Sequence, residues 1–470
     1  MILHKFGECE RKMKKYFLAI DIGASSGRHI LGWLENGVLR TEEIYRFKNG
    51  AKERGGHLIW DTDRLFSEIK AGLKAAGELG KAPVYVGIDT WAVDYALLDE
   101  NDKRVGQVYC YRDSRTKEVI NSVHRAVPFQ ELYERTGIQF QPFNTVYQLC
   151  ADRNHRGRLK TAKSFLMLPD YLNFLLTGVK KQEYTNATST GLVNAKTHTW
   201  DFDLLRRLGY PEFLFGELSQ PGTEVGRFTR EIEEEVGYSA TVLLPATHDT
   251  ASAVLAAPLD GQTPYISSGT WSLLGVEQDY AHTDENSRAV NYSNEGSIHF
   301  AFRYQKNIMG LWMIQSVRRE LGEKYSFSEL AEMARCKESL GTVDVNDNRF
   351  LSPADMCAEV DAALGSKLGV ASRMRVIYDS LAKSYADAIG ELERNTGKTY
   401  DTLNIIGGGS RDALLNELTA KATGKRIVTG PVEATAIGNL AVQMIGVGEL
   451  KDIREARAVI KKSFEIKEIL

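Results

Sequence analysis

Four short stretches of the chain hold residue types that can bind or transfer charged groups. Gly23-Ala24-Ser25-Ser26-Gly27-Arg28 and Ser267-Ser268-Gly269-Thr270 both combine small residues with hydroxyls. Crowded backbone N–H groups, no bulky side chains and donating hydroxyls are what a polyphosphate needs, although Gly and Ser also populate turns for conformational reasons alone. Asp21 ends the apolar run before the first stretch. A buried carboxylate must be paired or bound to a cation, so Asp21 reads either as a magnesium-linked group or as a capping aspartate of the turn. His248-Asp249-Thr250 lies between the apolar LLPAT and a small-residue run. Asp249 can there act as a general base holding the proton of a substrate hydroxyl, or can cap the helix that starts at that point. Gly407-Gly408-Gly409 resembles a nucleotide turn but lacks both the G-x-G-x-x-G spacing and a Walker lysine.

Taken literally, Gly23 to Gly27 also fits the G-x-S-x-G nucleophile pattern, with Ser25 as nucleophile. The flanking elements argue against it. Tyr16 to Ile22 predicts a strand, and HILGWLENGVLRTEEIYRF predicts two more, joined at Asn36-Gly37 in the strongest short hairpin signal. A nucleophile elbow joins a strand to a helix, whereas these serines join strand to strand. His248 and Asp249, being adjacent, cannot both converge on one serine, which removes a Ser/His/Asp set as well.

The elements that must carry these stretches follow an α/β pattern. WDTDRLFSEIKAGLKAAGELG predicts a helix capped at Asp61 or Thr62, and VYVGIDTWAVDYALLDENDKR a buried strand followed by a polar-tipped hairpin. Strand, small-hydroxyl turn and strand recur from Thr263, which divides the chain into two similar halves near residues 255–262. Downstream come a long amphipathic helix (Val376 to Gly397), a strand, glycine turn and helix (TLNIIGGGSRDALLNELTAKATG), the strand RIVTG and an Ala- and Gly-rich helix (EATAIGNLAVQMIGVGEL).

A chain of 470 residues exceeds the roughly 250–300 at which single cores stop growing, so two domains are expected. With 59 basic and 62 acidic residues, a net charge of -3 offers no match to a nucleic acid or an anionic membrane, and the partner expected is a small molecule. Cys9, Cys110, Cys150, Cys336 and Cys357 are odd in number and lack C-x-x-C spacing, which fits a reducing cytoplasm better than a disulfide framework or a zinc site. No apolar run approaches the roughly 18 residues that span a bilayer. Residues 1–14 read as a disordered extension, with domains at 15–256 and 257–470.

AIDIGASSGR, GIDTWAVDYALLD, YRDSRT, GIQFQPFNTVYQL, EYTNATSTGLVN, HDTASAV, SSGTWSL, KNIMGLW and GGGSRDALLNELTAKATG with GPVEATAIGN run in order from about residue 16 to 445. Together they resemble the FGGY carbohydrate kinase family. The glycine turns are common to such kinases and their actin-like relatives, whereas DTWAVDY, NATSTGLVN and KNIMGLW resemble the branch that phosphorylates L-rhamnulose at its C1 hydroxyl. The resemblance implies two ribonuclease-H-like (actin-like ATPase) domains around a cleft holding MgATP and a ketose. It assigns Ala24, Ser25, Ser26, Gly27 and Arg28 to the ATP phosphates, Thr270, Gln315 and Gly408 to ATP, and Asp249 to the base. It further assigns Ala92, His248, Thr250 and Asn307 to the sugar and Asp21 to the magnesium ion (Mg2+). At Ala92 the family pattern has a glycine whose backbone touches the sugar. A 6-deoxy ketose needs hydrogen-bonding groups beside an apolar wall, which Thr90 to Tyr95 would supply through Trp91 and Val93. The alternatives are a kinase for fuculose or xylulose and, in a different class, an actin-like ATPase that works as a binding module.

Overall fold

The computed structural model describes residues 14–154 and 157–469; apart from Lys14, the expected extension lies outside the described residues. β1 (Phe17–Ile22) is buried along its whole length, with neighbours on both sides. β2 (Ser26–Glu35) and β3 (Val38–Lys48) run antiparallel to it in turn, with Glu35 opposite Val38 across the Asn36-Gly37 turn. Both turn residues have positive φ, 55° and 72°, as a tight two-residue hairpin requires. Helix α1 (Thr62–Glu78) follows, with Asp61 rather than Thr62 as its cap, accepting from the Arg64 N–H. The chain then enters β4 (Tyr85–Thr90), parallel to β1. β5 (Glu224–Arg227) and β6 (Thr241–Leu243) complete a sheet in the order β5-β6-β4-β1-β2-β3.

The period-2 alternation of β1 divides its side chains between two layers. Leu18, Ile20 and Ile22 join Leu65, Ile69 and Leu73 of α1 in one cluster, each buried Leu or Ile contributing roughly 1.5–3 kcal/mol. Phe17 and Ala19 face the opposite layer, where the chain's last third supplies the cover.

A second sheet repeats the plan. It comprises β7 (Tyr265–Ser268), β8 (Trp271–Gln278), β9 (Ser293–Gly296), β10 (Phe302–Met309), β11 (Thr402–Ile406), β12 (Arg426–Thr429) and β13 (Lys467–Ile469), in the order β9-β10-β8-β7-β11-β12-β13. β8 runs antiparallel to both β7 and β10, whereas β7, β11 and β12 are parallel. Three antiparallel strands followed by parallel ones is the ribonuclease-H-like arrangement, and it occurs in both sheets.

Helix α2 (Asp249–Ala256) leads out of the first sheet, and the chain from 257 to 264 carries neither helix nor strand. α3 (Trp312–Glu320), α4 (Val370–Thr396) and α5 (Ala413–Thr423) accompany the second sheet. α6 (Ala434–Gly446) crosses back, placing Ala434, Ile437, Leu440 and Met444 against Phe17 and Ala19. It approaches α2 so closely that a methyl on Gly438 would lie 1.8 Å from the Ser252 carbonyl oxygen. From the same helix Gln443 Nε2 donates to Leu18 O at 3.0 Å and Asn439 Nδ2 to Gly87 O at 3.1 Å.

Two expectations need correction. Tyr95–Leu98 pairs along its length with Ser164–Met167, and the polar tip after it closes only through a single bridge between Leu98 and Arg104. All four residues of that strand are buried, so the apolar Phe165, Leu166 and Met167 make a better partner than the charged tip. α4 begins at Val370, six residues before the expected start, because Val370 and Met374 extend at helical spacing the buried face of Ile377 and Leu381; it ends as expected at Gly397, with φ 66°.

His29 on β2 faces α1 at Gly72, where a methyl would lie 2.3 Å from the ring, and its Nε2 sits 3.2 Å from Ile69 O. Burial pushes its pKa from 6.5 down to about 4, so the unfolded chain takes up the proton first as pH falls. Stability is therefore full above about 6.5 and declines towards pH 4, by up to roughly 3 kcal/mol from this group. Urea unfolding at several pH values should show His29→Gln losing less stability than the unmodified protein over that window; equal losses would contradict the assignment.

Candidate active site

A cavity of about 280 Å³ opens between the two sheets. The first half of the chain contributes Asp21, Ala24, Ser25, Ser26 and Arg28, then Ala92, and finally His248, Asp249 and Thr250. The second half contributes Thr270, Asn307 and Gly408. Of the residues the sequence singled out, Gly27 and Gln315 do not line it. Gly27 is explained by packing, since a methyl there would lie 2.2 Å from the Phe47 ring. Gln315 is half-buried on α3, and its N–H donates to Leu311 O at 2.8 Å.

Both small-residue turns connect the first two strands of their sheets, and each is held by its own backbone. In the first, Gly23 N–H donates to Ser26 O at 2.9 Å, while Asn49 clamps it through Nδ2 to Gly23 O (2.8 Å) and N–H to Ser25 O (2.9 Å). No helix follows Ser25, so the strand-to-helix geometry of a nucleophile elbow is absent. In the second, Gly269 N–H donates to Trp271 O at 2.9 Å, and Leu311 N–H, at the start of α3, to Gly269 O at 2.9 Å. The triple glycine packs directly on this turn. A methyl on Gly409 would stand 1.9 Å from Ser268 Oγ, and Gly407 holds φ 81° against Ser268 O, whereas Gly408 has open space in front of it and faces the cavity.

Three carboxylates meet at the edge where β1 and β4 end and α2 begins. Asp21 and Asp89 are register partners on parallel strands. Asp21 accepts both Nε and Nη2 of Arg28 on a single oxygen, Oδ2, each at 2.8 Å, and so serves as an ion-pair partner rather than as a turn cap. Arg28 is also paired with Glu433, and its charge is held chiefly by Asp21. Asp89 is fully buried; its Oδ2 accepts from Asn439 Nδ2 at 2.6 Å, while its Oδ1 has no partner. Burial first, then the charges of Asp21 and Asp249, push its carboxyl well above the ordinary 3.8.

Asp249 opens α2, but the cap position falls on His248, which makes no capping hydrogen bond. The Asp249 carboxylate receives the Thr250 N–H at 2.5 Å and lies 3.4 Å from His248 Nε2. Its side chain remains 30% exposed, into the cavity. Burial raises its pKa above 3.8 while His248 opposes the rise, and a carboxylate so raised is a stronger proton acceptor than a solvated one.

Beside it, Trp91 and Val93 form an apolar wall of the cavity. Val93 holds φ 67°, a strained conformation for a β-branched residue. Asp94 does not face the cavity; it fixes the wall, accepting Trp91 Nε1 at 2.9 Å and Trp60 Nε1 at 2.7 Å. Asn307 on β10 lines the far side, and its buried Oδ1 has no partner among the described residues, which suits a ligand hydroxyl or amine.

Asp89, Glu433 and Glu295 were given no site role from sequence, although the first two fall within GIDTWAVDYALLD and GPVEATAIGN and Glu295 lines the cavity. For Asp89 a signal existed, because GID at 87–89 ends an apolar strand just as AID does at 19–21.

Models of the N-terminal and C-terminal domains of the FGGY family of carbohydrate kinases match residues 16–256 and 264–447. The chain is 48% identical over 458 residues to the rhamnulokinase of Halalkalibacterium halodurans, covering 96% of this chain and 98% of that one. It is 46% identical over 462 residues to the rhamnulokinase of Oceanobacillus iheyensis, covering 97% and 98%. Among solved structures it resembles a xylulose kinase from Lactobacillus acidophilus, with a TM-score of 0.79 at 17% identity over 97% of this chain and 94% of that one.

Gly409→Ala should displace the second turn through Ser268 while leaving the first untouched. Overpacking costs about 1–3 kcal/mol, and borne by the turn in its nucleotide-binding geometry this lowers ADP affinity roughly 5- to 150-fold. Calorimetry checks this, and unchanged affinity would show that the triple glycine does not shape a nucleotide site.

Proposed function

This chain belongs to the FGGY family of carbohydrate kinases, and on that premise we propose that it transfers the γ-phosphoryl group of ATP to the C1 hydroxyl of L-rhamnulose. The observation that carries the reading is the Asp249 carboxylate, raised in pKa and facing a cavity between two N–H-rich turns from opposite halves of the chain. Phosphoryl transfer through a loose transition state demands positioning and charge stabilisation above all, and this arrangement supplies both. L-rhamnulose is chosen over other ketoses because the relatives at 46–48% identity, matched over nearly their whole length, are rhamnulokinases.

In this reading Asp249 accepts the proton of the C1 hydroxyl as oxygen attacks phosphorus. Ala24, Ser25, Ser26 and Thr270 bind phosphate oxygens, and Gly408 borders the nucleotide. Arg28 keeps its positive charge at the phosphates while shared between Asp21 and Glu433. His248, Thr250 and Asn307 bind sugar hydroxyls, with the methyl end against Trp91 and Val93. At position 92 a backbone contact survives the methyl of Ala92. Residues 15–256 would supply the sugar and phosphate side and residues 257–470 the nucleotide side.

ATP-using kinases of this family work with a divalent cation, and the residues present suit magnesium. Among the described residues Arg28 beside Asp21 and His248 beside Asp249 are the basic groups that face the three gathered carboxylates, and Asp21 keeps Oδ1 clear of its arginine. Asp21 would hold the ion, whose chemistry is to neutralise charge on the transferring phosphates. A cytoplasmic setting belongs to the same reading, because ATP is the co-substrate.

Asp249→Asn should lower kcat by a factor of about 10² or more, with ATP still bound. Activity within a few-fold of the unmodified protein would remove Asp249 as the base. In a ketose panel L-rhamnulose should give the highest kcat/KM, with epimers that misplace a hydroxyl falling furthest. A tenfold preference for xylulose, fuculose or glycerol would overturn the substrate, and ATP hydrolysis indifferent to every ketose would favour an actin-like ATPase.

A further inference from the structure

His248 is gripped from the other half of the chain. Its Nδ1 lies 2.9 Å from Glu295 Oε2 on β9 and 3.2 Å from Arg303 Nη2 on β10, and its Nε2 lies 3.4 Å from Asp249 Oδ1. Arg303 is completely buried and donates to the same Glu295 Oε2 at 3.0 Å, and also to Gly296 O at 3.2 Å. A guanidinium cannot accept a hydrogen bond, and a bare Nδ1 would set its lone pair against the carboxylate at the shorter of the two distances. A hydrogen on Nδ1 removes the conflict, because one carboxylate oxygen then receives both donors.

Glu295 is firmly placed for this task. Although β9 is the edge strand of the second sheet, it is bonded to the first half of the chain. Asn294 N–H donates to Gly137 O at 2.8 Å and Gly296 N–H to Thr188 Oγ1 at 2.8 Å; Tyr133 Oη donates to Tyr292 O at 2.8 Å. A methyl on Gly296 would lie 2.4 Å from the Tyr184 ring, so the strand has little room to move. Burial disfavours the Glu295 carboxylate, but Arg303 and then His248 outweigh it and hold the carboxyl at about 2, ionised at any working pH.

We propose that Glu295 is a positioning residue for the base: by receiving the Nδ1–H of His248 it turns Nε2 towards Asp249 and the sugar. This rests on the reading of Asp249 as the base. The second half of the chain then supplies part of the proton-accepting apparatus as well as nucleotide contacts, and the base is correctly oriented only where β9 meets the first half. The charged groups facing the imidazole are Asp249 from its own helix, Glu295 from β9 and Arg303 from β10. Removing the Glu295 charge leaves the ring facing Arg303 without compensation.

The test uses the full chain with 15N-labelled histidines, the His248 signals being identified by their loss in His248→Asn. In the unmodified protein the His248 15N shifts should show the hydrogen on Nδ1. A bare Nδ1 would overturn the pairing whether or not the protein phosphorylates a ketose. With L-rhamnulose and MgATP, Glu295→Gln should lower kcat about tenfold or more with KM for ATP within twofold, but cost less than threefold in a His248→Asn background. Equal costs in both backgrounds would show that Glu295 does not act through His248. Glu295→Asp retains the charge beside Arg303, so it should fold and still lose kcat through shortened reach; full activity in that variant would also overturn the proposal. No phosphorylation of any ketose by the unmodified protein would instead overturn the function, and the 15N shifts alone would then decide the pairing.

Discussion

The site is governed by how much negative charge can be kept at one edge of the first sheet. Asp21, Asp89 and Asp249 converge there because β1 and β4 are parallel and end together, and because α2 starts beside them. Three unscreened carboxylates in a buried place repel one another and resist desolvation. Each finds a different outlet: Asp21 takes Arg28, Asp89 is pushed towards its neutral form and accepts from Asn439, and Asp249 keeps partial access to the cavity beside His248. What remains is a proton acceptor with a heightened affinity for protons, next to a place that suits a cation.

Meeting that constraint requires both halves of the chain, and the duplicated sheet makes this possible. In each half the link between the first two strands is a turn of small residues, so the same local solution arises twice and the two copies face each other. α6 joins them, and its polar Asn439 and Gln443 hydrogen-bond the backbone of β4 and β1 while its apolar face covers β1. β9 makes the reverse crossing and brings Glu295 to His248. The cleft is therefore a seam tied at α6 and at β9, with Arg112 Nη1 donating to Leu351 O at 2.6 Å as a further link.

Much of this was legible in sequence, for physical reasons. Asn36-Gly37 announced its hairpin because both positions require positive φ, and the glycine- and serine-rich turns stood out because small residues leave their backbone N–H groups uncovered, with close packing at Gly27 and Gly409. Asp21 and Asp249 were visible as carboxylates at the ends of apolar strands. Glu295 and Arg303 were not, since they sit in the polar surroundings YSNEGS and FRYQKN, and only the β9–β10 register sets them side by side. The partner of Tyr95–Leu98 lies almost seventy residues downstream and carries no local mark in the sequence. Gln315 came from family resemblance alone, and its place on α3 lies outside the cavity lining.

Where the phosphorus arrives reads the transfer itself. L-rhamnulose carrying 13C at C1 should be incubated with the protein and MgATP, and the product examined by 13C and 31P magnetic resonance. The labelled carbon should become coupled to phosphorus, at a rate that depends on the Asp249 carboxylate. Phosphorus attached at any other carbon, or ATP consumed with only inorganic phosphate released, would contradict it.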